Sequence, residues 1–251
     1  MSATVYLVGA GPGAADLLTL RAARLLGEAD IVFHDALVPK AILDRAPGAQ
    51  KIAVGKRCGR HSTAQRFINK RLVDAAHKHR IVVRLKGGDP MLFGRAHEEL
   101  AYLRSHGIAV EVVPGVTAAL AASAQIGISL TRRGRARSVV FATPRAAAGE
   151  APSGWLEAVT RADTAAIYMG VGDAHAIAKG LVAAGKPAAT PVALIENASL
   201  EPARAVYGIL GELPVLAAGI GGGPALILLG EVLGDAVSAA RQATARKGQA
   251  G

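Results

Sequence analysis

The chain has 251 residues, a hydrophobic share of 51% and a formal net charge of +10. This length suits one large or two modest domains with a buried core. The best candidate for a membrane span, residues 216–229, is broken by glycine and proline and is shorter than the roughly 18 apolar residues required. With no secretory pattern after Met1 and Cys58 as the only cysteine, we expect a cytoplasmic protein without disulfides or a zinc ribbon.

The positive charge indicates an anionic partner, which could be nucleic acid, a membrane surface or a polyacidic small molecule. Aromatic residues make up only 4% of the chain and none stands among the arginines, so the stacking platforms of single-stranded nucleic-acid sites are missing. Their absence makes a nucleic-acid partner less favoured without excluding it. The basic residues form two clusters in glycine-containing segments: Lys51, Lys56, Arg57 and Arg60, and then Arg132, Arg133, Arg135 and Arg137.

Short apolar runs alternate with helical patterns along the chain, which predicts an α/β fold with mainly parallel sheets. Asp16 is the predicted N-cap of the first helix. The predicted strands cover residues 5–8, 31–34, 81–85, 110–113, 139–143, 165–169, 192–196, 205–207 and 225–230. The predicted helices of the first half cover residues 17–26, 64–77, 98–106 and 117–125.

A segment rich in Gly, Thr and Arg, residues 127–137, interrupts this alternation. We therefore predict an N-terminal α/β domain over residues 1–126, a linker over 127–137, a C-terminal α/β domain over 138–235 and a polar tail over 236–251. A cleft between two small α/β domains is a common place for a ligand.

The turn Gly9-Ala10-Gly11-Pro12-Gly13 follows the first predicted strand and precedes the first helix. A dinucleotide fingerprint occupies this context, and Asp35 lies at the distance of its ribose-binding acid. The glycine spacing differs from that fingerprint, however, and Pro12 has no amide proton to offer a phosphate. Three interpretations remain: an NAD site, a turn needed only for chain reversal, and a site for a phosphate-free ligand such as S-adenosylmethionine (SAM).

Four turns at the carboxyl ends of strands carry glycine or polar residues, and ligands of α/β proteins bind at such ends. The turns follow Val8, His34, Leu85 and Val113. In the third turn Asp89 could accept hydrogen bonds from a ligand, although an ordinary Asp-Pro turn is the alternative. Thr117 is suited to cap the helix after the fourth turn. We therefore predict one binding site at these four turns.

Metal catalysis is not indicated by the sequence. The chain has seven histidines, but they show no HExxH or comparable ligand spacing. No GxSxG nucleophile motif is present either. We therefore expect no metal site.

Taken together, the motifs from about Thr4 to Gly234 resemble the tetrapyrrole methylase family, the class III SAM-dependent methyltransferases. Each motif is weak alone, but the set is specific. The motifs are 8–13 (VGAGPG), 34–38 (HDALV), 54–57 (VGKR), 83–90 (VRLKGGDP), 93–95 (FGR), 98–99 (EE), 114–118 (PGVTA) and 130–131 (LT).

The resemblance implies two α/β domains with SAM in the cleft between them, and a homodimer. It implies proton transfer by Asp35 and Lys56, with Arg95 as a less conventional second candidate for the base, and tetrapyrrole contacts at Arg95, Glu98 and Arg133. The implied SAM contacts are Pro12, Gly87, Gly88, Asp89, Leu92, Thr117, Ala118, Met169 and Ala198.

The implied reaction adds methyl groups to C2 and C7 of uroporphyrinogen III, which gives precorrin-2 for sirohaem and cobalamin synthesis. This substrate carries eight carboxylates, and arginines suit such a ligand. Methylation of a later precorrin and methylation of ribosomal RNA within the same superfamily remain alternatives. The departures from the family pattern lie mostly on the substrate side: Ala96-His97, Gln125, Ser129, Arg132 and Pro144-Arg145.

Overall fold

The computed structural model describes residues 3–54, 65–146 and 153–249. By its internal contacts the chain divides into two compact units, residues 1–118 and 119–251, which we call unit 1 and unit 2. The helix after Thr117 was predicted to belong to the N-terminal domain, whereas all of that helix beyond Ala118 belongs to unit 2.

Unit 1 contains one parallel sheet of five strands in the order β3-β2-β4-β1-β5, which confirms the expected parallel α/β arrangement. The strands are β1 (Thr4–Gly9), β2 (Ile31–His34), β3 (Gln50–Ala53), β4 (Ile81–Lys86) and β5 (Ala109–Val113). The helices are α1 (Leu20–Glu28), α2 (Lys40–Leu43), α3 (Gln65–Ala76) and α4 (Ala96–Ser105).

Both faces of this sheet are buried, which explains why its central strands are nearly continuous apolar runs. On one face, Leu7 and Phe33 lie in a core with Leu72 of α3 and Leu103 of α4. The other face buries Val8, Val32 and Leu85 in a second core, where the covering residues are Leu25, Leu26 and Ile42 of α1 and α2. Strand and helix periodicities therefore point their apolar residues at the same two cores.

The first helix begins later than predicted. Helix α1 starts at Leu20, and the Thr19 hydroxyl oxygen accepts a hydrogen bond from the Ala22 amide at 3.1 Å. The predicted N-cap, Asp16, was wrong: it lies in a separate 3₁₀ turn, Ala15–Leu17. Thr19 lies three residues before Ala22 and can accept from its amide, whereas Asp16 precedes the helix by too many residues to do so.

Unit 2 contains a second five-stranded sheet in the order β6-β7-β10-β8-β9. Its strands are β6 (Val139–Ala142), β7 (Thr164–Ile167), β8 (Pro191–Glu196), β9 (Arg204–Ile209) and β10 (Ala225–Gly230). Its helices are α5 (Ala118–Ile126), α6 (Trp155–Arg161), α7 (Ala174–Ala183), α8 (Leu213–Ala218) and α9 (Gly234–Gln249). The α/β class is thus confirmed for both units.

Strand direction differs from the expectation in this second sheet. β6 and β7 are parallel, but β10 is antiparallel to both β7 and β8, and β8 is antiparallel to β9. The link from β8 to β9 contains no helix, and only antiparallel neighbours can be joined so directly. Helix α8 then connects β9 to β10, which run in the same direction.

Residues 236–249, part of the predicted polar tail, are helical. They belong to helix α9, whose Val237 is buried. Within the described part of the chain, none of the helices combines the length and the apolar character needed to cross a membrane.

Candidate functional site

The four turns predicted to form a site do meet at one edge of unit 1. The strands that precede them, β2, β4, β1 and β5, are consecutive neighbours in a parallel sheet, so their carboxyl ends lie side by side. We call this edge the rim, and it consists of residues 10–13, 35–38, 87–90 and 114–117.

Glycines allow three of these turns to pack main chain against main chain. Gly11 and Gly88 exchange two backbone hydrogen bonds of 3.2 and 2.8 Å. A Cβ atom on Gly9 would lie 2.6 Å from the Cα of Gly115, and one on Gly115 would overlap the Gly88 carbonyl oxygen. Three of the four turns are therefore locked together at distances that no side chain could enter.

One part of the rim is open. Gly87 is exposed, and no heavy atom beyond its chain neighbours lies within 4 Å of the position a Cβ would take. A ligand can thus approach the main chain of Gly87 and Gly88 directly. Pro12 does not suit a phosphate ligand, because proline has no amide proton to donate. These residues fit SAM, which has no phosphate, better than they fit a dinucleotide.

Asp89 holds two turns of the rim in place. One carboxylate oxygen accepts a hydrogen bond from the Gly115 amide at 2.9 Å, and the other accepts from the Met91 amide at 2.8 Å. The sequence suggested either a ligand contact or an Asp-Pro turn for this residue. Its observed hydrogen bonds hold two turns together. Two further expected SAM contacts, Leu92 and the buried Thr117, lie in the segments that Asp89 connects.

The Asp35 carboxylate lies at the rim directly after β2, and its side chain is 31% exposed. Nη2 of Arg84, a residue of β4, donates a hydrogen bond of 2.5 Å to its Oδ1. Its Oδ2 has no hydrogen-bond partner among the described residues. Asp35 is thus an accessible hydrogen-bond acceptor with one oxygen held by a buried cation. A general base needs such an acceptor within reach of the proton that it takes.

Arg84 belongs to a charge cluster that the sequence analysis missed. Its Nε donates to Glu99 Oε1 at 3.1 Å, and Lys86 Nζ donates to Glu99 Oε2 at 3.0 Å. The three side chains are between 0 and 4% exposed. We call Asp35, Arg84, Lys86 and Glu99 the buried charge cluster. The sequence signal for this cluster is the presence of two cations in β4, a strand that is otherwise apolar and buried on both faces.

The cluster shifts the pKa values of its two cations in opposite directions. Burial by itself would lower the pKa of Arg84, but the charges of Asp35 and Glu99 outweigh it and raise this pKa. Burial, and then the repulsion from Arg84, lower the pKa of Lys86 below its ordinary value despite the contact with Glu99. Arg84 therefore stays charged, and it is the cation of the cluster that binds the rim residue Asp35.

Arg95 and Glu98 form an exposed pair at the start of α4. The Arg95 guanidinium donates two hydrogen bonds of 2.6 and 2.7 Å to the Glu98 carboxylate, which lowers the pKa of Glu98. Arg95 itself has a left-handed backbone, with φ of 56°. Left-handed residues other than glycine cost about 1–3 kcal/mol and concentrate at functional sites. The structure thus brings together both residues expected on the tetrapyrrole side of unit 1.

In unit 2, Met169 and Ala198 lie at one edge of the second sheet. They follow β7 and β8, which run in the same direction because both are antiparallel to β10. Met169, Asn197 and Ser199 are left-handed, with φ of 56, 54 and 71°. Both expected SAM contacts of unit 2 therefore lie in or beside strained turns at the same edge.

Arg133 is exposed in a turn closed by the bridge between Arg132 and Ala136. Its neighbours Arg132 and Arg135 approach the carboxylate of Asp235 at 3.0 and 3.9 Å. The expected catalytic residue Lys56 lies outside the described residues. The same holds for Cys58 and for the rest of the first basic cluster except Lys51.

The sequence matches the family model of Tetrapyrrole (Corrin/Porphyrin) Methylases over residues 4–214. It is 46% identical to a uroporphyrinogen-III C-methyltransferase of Pseudomonas aeruginosa over 239 residues, 95% of this chain and 97% of that protein. It is also 46% identical to a siroheme synthase of Chromobacterium violaceum over 231 residues, 91% of this chain. The chain spans about half the length of the siroheme synthases that it matches, 49% in this case.

Among solved structures, the fold resembles a uroporphyrin-III C-methyl transferase from Thermus thermophilus complexed with S-adenyl homocysteine. The TM-score is 0.81 at 42% identity, with 92% of this chain and 98% of that chain covered. The fold also resembles CbiF, a cobalt precorrin-4 methyltransferase, with a TM-score of 0.80 at 27% identity over 92% of this chain and 95% of that chain. With the family model matching most of its length, the chain belongs to the tetrapyrrole methylases.

Proposed function

We propose that this protein uses SAM to methylate uroporphyrinogen III at C2 and C7, which yields precorrin-2 for sirohaem or cobalamin synthesis. The observation that carries the proposal is the rim of unit 1, where the Asp35 carboxylate lies on the same sheet edge as the open Gly87 backbone. The names of the relatives from P. aeruginosa and T. thermophilus, which cover nearly the whole chain, support the choice of substrate.

SAM, when bound, supplies a methyl group on a positively charged sulfur. The chain supplies the rest: the main chain at Gly87 and Gly88 admits the donor, and Asp35 accepts the proton that the tetrapyrrole loses as its ring carbon becomes bonded to the methyl group. Holding the ring carbon in line with the methyl group can contribute up to about 7–11 kcal/mol to lowering the barrier. General base catalysis adds about 10²–10⁴-fold.

The substrate carboxylates need cations that are accessible. Arg95 and Arg133 are exposed, and Glu98 holds the Arg95 guanidinium by two hydrogen bonds. We infer that Arg95 and Arg133 bind substrate carboxylates, that Glu98 orients Arg95, and that Met169, Ala198, Leu92, Thr117 and Ala118 line the SAM site. Lys56 is a further candidate for proton transfer. We also propose that the protein is cytoplasmic and forms a homodimer.

The test is an anaerobic incubation of the purified protein with SAM and uroporphyrinogen III, followed by mass spectrometry. We expect a gain of two methyl groups, and a loss of about 10²-fold or more in rate for Asp35→Asn. The matched control is Asp44→Asn, which removes a carboxylate from an exposed pair with Lys40 and should leave the rate unchanged. No mass gain in protein that binds SAM would reject this substrate.

The similarity to CbiF favours a second candidate, methylation of a later precorrin. Repeating the incubation with later precorrins in place of uroporphyrinogen III distinguishes the two. If neither accepts a methyl group, binding to ribosomal RNA that weakens steeply with salt would point to the nucleic-acid branch of the superfamily.

A further inference from the structure

The Arg84 guanidinium is fixed in three directions. Its Nε donates to Glu99, its Nη1 donates to the Leu85 carbonyl oxygen at 3.2 Å, and its Nη2 donates to Asp35. The side chain is 3% exposed, so it does not itself face solvent. A planar guanidinium bound at all three nitrogens has one orientation, and this orientation aims Nη2 at the rim.

Neutralising Glu99 does not by itself account for Arg84. Lys86 already lies 3.0 Å from the Glu99 carboxylate and balances its charge. The buried charge cluster holds two cations and two carboxylates, and its charges sum to zero only when Asp35 is included. A second buried cation would be costly without its own partner. The partner of Arg84 is therefore Asp35.

Asp35 follows β2 in a turn whose backbone is held by two bonds. The Asp35 amide donates to the Leu85 carbonyl oxygen at 3.2 Å, and its carbonyl oxygen accepts from the Val38 amide at 3.2 Å. The backbone is thus fixed, but the carboxylate could still rotate about its side-chain bonds. The bond from Arg84 to Oδ1 restricts that rotation and leaves Oδ2 turned away from the cation.

We propose that Arg84 is a positioning residue that orients the Asp35 carboxylate for proton transfer. This inference rests on the methyl transfer proposed above. Glu99 holds Arg84, Arg84 holds Asp35, and Asp35 presents its second oxygen to the substrate. Lysine cannot replace Arg84 in this role, because a single ammonium group on a flexible stem does not bind two carboxylates in a fixed geometry.

The experiment is a double-mutant cycle with Arg84→Lys, Asp35→Asn and the two combined. We expect Arg84→Lys to lower kcat about 10- to 100-fold, the loss that a misplaced catalytic group causes. The KM for SAM and the affinity for S-adenosylhomocysteine, measured by calorimetry without any substrate, should not change. In the Asp35→Asn background, Arg84→Lys should have no further effect on kcat.

Each alternative outcome contradicts the proposal. Equal fold-losses of kcat in both backgrounds, or a loss of S-adenosylhomocysteine affinity that parallels the loss of kcat, would assign Arg84 a purely structural role. If Arg84→Lys does not fold, Arg84→Gln, which keeps a donor amide, takes its place in the cycle.

If the wild-type protein transfers no methyl group to uroporphyrinogen III, the proposed function fails, and the cycle is read from the midpoints of urea unfolding instead. The loss caused by Arg84→Lys must then shrink in the Asp35→Asn background. Losses that simply add would show that the two side chains are not coupled and would overturn the inference.

Discussion

Two groups of charged residues in this chain have similar composition and opposite surroundings. In the buried charge cluster, Arg84 and Lys86 share the Glu99 carboxylate, and all three side chains are almost completely buried. In the arginine segment 127–137, Arg132 and Arg135 share the Asp235 carboxylate, but these side chains are 46–79% exposed. In each group two cations thus share one carboxylate, and exposure to solvent is the variable that differs.

The number of ion pairs in a protein therefore says little about how much they contribute to the free energy of unfolding. Water screens the exposed group, so its pairs contribute between about 0 and 1 kcal/mol each. Transfer of the buried group out of water costs free energy during folding. Removing one partner leaves an unpaired buried charge, which destabilises the folded state by about 3–5 kcal/mol. Burial does fix the geometry of the group, because a buried guanidinium has few alternative partners.

The sharpest test of this contrast is Glu99→Gln. We expect a decrease of about 3–5 kcal/mol in the free energy of unfolding, because Arg84 and Lys86 would remain buried with only Asp35 to balance them. Urea denaturation at neutral pH measures the change. The neighbouring substitution Glu98→Gln, in the exposed pair with Arg95, serves as control and should cost less than about 1 kcal/mol. Similar losses for the two variants would refute the contrast.

A smaller effect is expected from backbone packing at the rim and in the arginine segment. In Gly115→Ala the new Cβ would overlap the Gly88 carbonyl oxygen, so the rim must shift, at a cost of about 1–3 kcal/mol or somewhat more. Gly134 in the arginine segment has open space around it and a φ of +76°. Gly134→Ala should therefore cost only the left-handed strain, about 1–2 kcal/mol.

Thermal or urea unfolding of both glycine variants checks this prediction. Binding of S-adenosylhomocysteine adds a second readout, because a shifted rim should lose affinity in Gly115→Ala and not in Gly134→Ala. If Gly115→Ala were the less destabilised and kept its full affinity, the main-chain packing of the rim would not matter for the site.

The smallest effect is expected for Asp235→Ala. Removing this carboxylate leaves Arg132 and Arg135 in water, so the free energy of unfolding should fall by less than about 1 kcal/mol at low salt. At 1 M salt the difference from wild type should vanish, since the Debye length is then about 3 Å. A loss that persists at high salt would mean that Asp235 acts through something other than these exposed pairs.

Much of the fold was predictable because hydrophobic periodicity and turn chemistry agree in unit 1. Strand β2, Ile31–His34, was predicted with its observed bounds. The predicted ends of β1 and β4 lie within about one residue of the observed ends. The short strand β3, Gln50–Ala53, was missed because its residues are mostly exposed and show no apolar run. Strand β10 was predicted with its observed bounds, Ala225–Gly230, but its reversed direction was not, because strand direction depends on long-range pairing that local pattern does not encode.

The site was predictable in its location more than in its contacts. Glycine and polar residues at four strand ends indicated the rim, and the structure gathers them there. The role of Asp89 as an anchor for the Gly115 and Met91 amides could not be foreseen, because both partners depend on the folded loops. The bond between Arg84 and Asp35 joins residues 49 positions apart, and only the pairing of β2 with β4 brings them together.

The position of β1 inside the first sheet has a consequence for how the chain is made. Thr4 pairs with Ile81 on one side and with Ala109 on the other, so β1, the first strand of unit 1, finds no partner in this sheet until β4 has been synthesised. A ribosome must add more than half of unit 1 before this apolar strand can be paired. During that interval its edges are open to other chains, and contacts between residues so distant in sequence form slowly. Early folding of unit 1 therefore depends on delivery of β4, the strand that also carries Arg84.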